Sequence, residues 1–91
     1  MRLLHNAEDL SALGYANGFT LWHYRTTDLA AEVDNAGYFS AAGRMVRVGD
    51  FILVNAGLDS LPTHGVAVVV ASSGGTVDVT NVTTFGAVNT D

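Results

Sequence analysis

The stretch Gly18-Phe19-Thr20-Leu21-Trp22-His23-Tyr24 constrains the fold more than any other part of the chain. Aromatic and β-branched side chains pack well on a pleated surface, so these residues predict a strand. Alternation along a strand sets Phe19, Leu21 and His23 on one face and Thr20, Trp22 and Tyr24 on the other. Both faces therefore carry bulk. A strand covered on one side only concentrates its large side chains there. This one is either enclosed within its own domain or packs one face against another chain. The expectation is Phe19 and Leu21 inward, with Trp22 and Tyr24 nearer a partner.

Around that strand, residues 1–17 read as an N-terminal arm and residues 18–91 as a single small β domain. In the arm, Ala7, Leu10 and Gly14 have roughly helical spacing, with Asn6 as a candidate cap, so a loosely attached arm and a docked helix both remain open. Past Tyr24, Thr27 or Asp28 can cap a short helix whose Leu29 and Val33 share a face, and Ser40 can cap one further helical turn. From Met45 the period becomes strand-like. Val46 and Val48 alternate with Arg47, Gly49-Asp50 turns, and Phe51-Ile52-Leu53-Val54-Asn55 is an apolar strand. Residues 56–65 form a polar loop. Val66 to Ala71 is continuous and β-branched, as in a strand buried on both faces. Ser72-Ser73-Gly74-Gly75 then makes a hairpin loop into Thr76-Val77-Asp78-Val79-Thr80, with its valines inward. The tail keeps Val82, Phe85 and Val88 as a last strand or a contact segment. The fold class is mainly β: a small antiparallel barrel or sandwich of about five to six strands with one or two short helical turns.

Composition limits what such a domain does. Ninety-one residues bury roughly 60–65% of their unfolded surface, a thin core of the kind that oligomerisation often supports. Without cysteine there are no disulfides and no thiolate metal sites. Nine carboxylates stand against four arginines and no lysine, which argues against nucleic acid and anionic membranes as partners. No apolar run approaches a membrane span, and the N-terminus lacks the apolar segment of a secretory signal.

Catalytic and metal chemistry find no footing in the spacing. His5, His23 and His64 share no metal-ligand spacing. Asp28, Glu32 and Asp34 lack the periodicity of a calcium loop and read as a helix start. No serine lies in a nucleophile elbow, and the glycine pairs lack the helix and lysine of a phosphate loop. The expectation is a non-enzyme with no cofactor.

Residues 18–26, with Gly37-Tyr38-Phe39 and Val48-Gly49-Asp50-Phe51-Ile52-Leu53-Val54, resemble small structural domains of tailed phages. These are capsid-decorating (cement) proteins, head-fibre or head-spike base proteins, and their relatives in gene transfer agents. The resemblance covers roughly residues 15–80. It implies a virion component made in the host cytoplasm and carried on the outer surface of the icosahedral head. Such a protein would bind the major capsid protein and itself, as a trimer or pentamer, with a head fibre as a further partner. Leu3, Leu4, Leu10, Trp22, Tyr24 and Phe85 are the expected protein-interface residues. A tail-fibre or baseplate adaptor is the alternative within the virion. A carbohydrate-binding accessory domain, with Trp22, Tyr24 and Tyr38 as an exposed sugar platform, is the alternative outside it.

Overall fold

The computed structural model describes residues 10–43 and 45–90, so Leu3 and Leu4 lie outside the described residues. Among the described residues six strands form a mainly β structure: β1 (Leu10–Ala16), β2 (Phe19–Arg25), β3 (Phe51–Ala56), β4 (Thr63–Ser73), β5 (Thr76–Val79) and β6 (Thr83–Phe85). The sheet order is β1-β2-β3-β4-β5, and β6 adds to β4. The long strand β4 organises this arrangement. One edge pairs with β3, while the other is shared between β6 at His64–Val66 and β5 at Val69–Ser73. The sheet remains open and does not close into a barrel.

Two tight turns build the hairpins. At Asn17-Gly18 both residues have positive φ, 54° and 85°, as a two-residue turn matched to strand twist requires. Ala16 consequently pairs with Phe19, and Leu10–Ala16 becomes a strand instead of the helical or loosely attached arm expected there. The division at residue 17 falls inside this hairpin. Gly74-Gly75, with φ of 58° and 81°, is likewise a two-residue turn, shorter than the four-residue loop expected.

One pairing departs from the antiparallel expectation: β2 and β3 run parallel, with Trp22 opposite Ile52 and Tyr24 opposite Val54. Parallel neighbours need a crossover connection. Residues 26–50 supply it, carrying helix α1 (Ala30–Val33) and a 3-10 turn at Ser40–Ala42. Leu29, not Thr27 or Asp28, caps α1, and Glu32 reaches back to the Leu29 N–H. Phe39 precedes the second turn, while the Ser40 hydroxyl accepts from the Val77 N–H on β5. Residues 45–50 form turns and not a strand, because the chain there must close onto β3.

The crossover lies across one face of the sheet and makes the core. Val33, Tyr38, Phe39, Ala42 and Val46 meet Leu10, Trp22, Tyr24, Ile52, Val54, Ala67, Val69, Val77 and Val79. Tyr24 is fully buried and Trp22 is 8% exposed, whereas Phe19, Leu21 and His23 are half-buried. The expected orientation of β2 is thus reversed. Trp22, Tyr24 and Leu10 belong to the core, not to an exposed interface, because the crossover aromatics stack on their face. The rings of Tyr24, Tyr38 and Phe39 pack edge to face at 5.1–6.0 Å, an arrangement favoured by ring quadrupoles. On β4, buried Gly65, Ala67 and Val69 alternate with more exposed Val66, Val68 and Val70, so only one face is covered. Gly65 is needed for close approach: a Cβ there would lie 2.4 Å from the Thr83 carbonyl oxygen.

Candidate interaction surface

Two buried carboxylates hold the layers together and thereby fix which sheet face stays open. Asp50 ends the crossover. Its Oδ1 accepts from the Thr20 N–H, and its Oδ2 accepts from the Trp22 indole N–H and the Arg47 N–H, each at 3.0 Å. Burial alone would push this carboxyl up, but the three donors, helped by the Arg47 charge, hold it below the ordinary range. The Asp50 carbonyl also accepts from the Val69 N–H, so one residue links β2, the crossover and β4.

The second carboxylate, Asp28, accepts from the Tyr38 hydroxyl at 2.7 Å. With that proton committed, the Tyr38 oxygen accepts from the Tyr24 hydroxyl at 2.8 Å. Burial and these two hydrogen bonds keep the Tyr38 phenol neutral, its pKa driven far upward. The network lies in the core among aromatic rings. Trp22, Tyr24 and Tyr38 therefore form no exposed sugar platform, and that expectation is overturned by their burial.

With one face closed, the other face presents three cross-strand rows. Leu21, Phe51 and Val68 form the first, and Phe19 adds to it with its ring 5.2 Å from that of Phe51. Ser11, His23, Leu53, Val66 and Thr83 form the second. Arg25, Asn55, His64 and Phe85 form the third. No carboxylate stands in any row, although the chain carries a net charge of −5. Phe51 is 42% exposed, and Phe85, the expected contact residue at the tail, is exposed at the rim.

The polar strip within this face is internally satisfied. Asn55 Nδ2 donates to His23 Nε2 at 2.7 Å, while Asn55 Oδ1 accepts from His64 Nδ1. The amide thus ties the two imidazoles across three strands. Among the described residues no group of three histidine, cysteine or acidic side chains could hold a metal ion. Beside the strip, Leu61, Pro62, Thr63, His64 and Thr84 to Ala87 line a shallow pocket of about 440 Å3. A second hollow of about 370 Å3, near the β4–β5 turn, is lined among the described residues by serine, threonine, glycine and alanine.

What this geometry offers is a sheet face without carboxylates on an acidic protein, with an apolar block at Phe19, Leu21, Phe51, Leu53, Val66 and Val68 and Arg25 at one end, suited to contact with another macromolecule. Neither of the two carboxylate networks was foreseen from sequence. Asp50 appeared only as a turn residue, and Asp28 as a cap within the Asp28, Glu32 and Asp34 cluster. Comparison with protein-family models, with curated proteins and with solved structures gives no match.

Proposed function

We propose that this chain is a structural component of a phage virion, a capsid cement protein or the base of a head fibre, which docks on the major capsid protein through the open face of its sheet. The observation that carries this reading is the three-row face, free of carboxylates in a chain of net charge −5 and centred on an apolar block of Phe19, Leu21, Phe51, Leu53, Val66 and Val68. The sequence resemblance to head-decorating proteins supplies the kind of partner. Docking proceeds by burial of Phe19, Leu21, Phe51, Leu53, Val66 and Val68 against the shell, which is stabilised by mass action as copies bind.

The size of the face sets the strength of each contact. Rows that average four strands, about 4.8 Å apart, and seven residues at about 3.3 Å each give a patch roughly 20 Å on a side, about 400 Å2. A standard interface buries about 800 Å2 per partner. One copy therefore binds weakly, and firm decoration comes from several linked copies.

The test is to mix purified protein with undecorated capsids and image them. Density on the outer surface is expected, at fivefold vertices for a spike base or over all capsomers for a cement protein. The double variant Leu21→Ser, Phe51→Ser should fold and leave the shells bare. Absence of binding by the unaltered protein, or full binding by the variant, would overturn the proposal.

A further inference from the structure

A second surface is the outer edge of β1. Among the described residues β1 pairs with β2 alone, so its other edge presents unpaired N–H and C=O groups. Edge strands of stable monomers are commonly protected by lysine, by proline or by inward charges. The strand Leu-Ser-Ala-Leu-Gly-Tyr-Ala contains none of these. Ser11 to Ala16 are exposed on both faces of the ribbon, with Leu13 at 58% and Tyr15 at 74%.

We infer that β1 is a self-association strand, pairing antiparallel with β1 of a second copy about a two-fold axis. Two arguments select a second copy. Each copy carries net charge −5, so two copies approach most easily where neither presents charge, and the whole span from Leu10 to Tyr24 is uncharged. An antiparallel pair centred near Leu13 is also self-complementary: Ser11 meets Tyr15 of the other copy, and small or apolar residues meet each other. The bulge at Leu13, between Ala12 and Gly14, limits the pairing to short runs and keeps it reversible.

The consequence concerns area. A two-fold axis normal to the sheet brings both open faces to the same side, doubling the surface to about 800 Å2, the size of a standard interface. This consequence rests on the docking reading, whereas the pairing itself stands on the edge. The symmetry is two-fold, unlike the trimer or pentamer that the resemblance implies.

Sedimentation of the free full chain over a concentration series tests the pairing, with hydrogen exchange of the β1 amides measured in parallel. The expected result is a monomer–dimer equilibrium in which exchange of β1 amides slows as dimer forms. Leu13→Lys should weaken dimerisation at least about tenfold, since like charges then oppose across the new pair, with an unchanged melting temperature at dilutions where both proteins are monomeric. Leu13→Thr, neutral and β-branched, should still dimerise. A monomer at every concentration, a dimer indifferent to Leu13→Lys, or a trimer or pentamer would overturn the inference. A dimer that ignores capsids would uphold the pairing and remove the docking reading alone.

Discussion

Replacing Asp50 by asparagine probes the feature on which the layering depends. The amide keeps the size of the side chain but turns one oxygen into an NH2 and removes the charge. Its cheaper orientation leaves the oxygen with Trp22 Nε1 and the Arg47 N–H and points NH2 at the Thr20 N–H. One charge-assisted bond, worth about 1.5–3 kcal/mol, is lost, and the two that remain fall to about half their strength. The expected loss is at least about 3 kcal/mol, a large part of the stability of a small domain. At about 4–8 °C per kcal/mol, the melting temperature should fall by at least about 12–24 °C. Trp22 is the sole tryptophan and donates to this carboxylate, so its fluorescence reports the transition directly.

The same substitution should change the response to acid. Asp50 is held below its ordinary value of 3.8 in the folded protein. Its contribution is therefore complete above the unfolded value and disappears as the pH falls through the folded one. The unaltered protein should lose stability steeply below about pH 4, and the Asp50→Asn variant should lose less over that interval. A variant that melts within about 3 °C of the unaltered protein, with the same acid profile, would refute the argument.

Two further substitutions separate the roles of the core groups. Tyr38→Phe takes the phenol donor from the buried Asp28 carboxylate and should cost about 2–3 kcal/mol, whereas Tyr24→Phe, which leaves the Tyr38–Asp28 bond in place, should cost about 1 kcal/mol. Urea denaturation of both variants checks this order, and equal losses would contradict it. Gly65→Ala should push β6 away from β4 and cost about 1–3 kcal/mol, since its Cβ would come within 2.5 Å of Val82 and 2.4 Å of the Thr83 carbonyl. Faster hydrogen exchange at Thr83 to Phe85 is the expected signature.

Much of the β architecture was legible in the chain because local pattern and local pairing coincide there. The apolar run at Phe51 to Asn55 and the alternation of Val77 and Val79 marked their strands directly, and the glycines of Ser72-Ser73-Gly74-Gly75 marked the hairpin between β4 and β5. A comparable signal lay in Asn17-Gly18, a dipeptide that favours the positive φ of a two-residue turn. Given weight, it would have made residues 10–16 a strand. The weak helical spacing of the arm competed with it. Nothing comparable marked the site. Its rows join residues from β1, β2, β3, β4 and β6, and a register between distant segments leaves no periodic trace in either one.

By itself the sequence determined that the chain is mainly β, that a glycine turn joins the valine-rich run to Thr76–Val79, that cysteine chemistry is absent and that the protein is acidic. These properties depend on neighbouring residues or on composition. Tertiary structure alone decided the parallel pairing of β2 with β3 and the direction in which β2 faces. Both alternating sets of the strand are bulky, so alternation cannot choose between them. The choice was made by Val33, Tyr38 and Phe39, carried over one face by the crossover, and by Asp50, which binds the Trp22 indole on that same side. Phe19, Leu21 and His23 were thereby left on the open face.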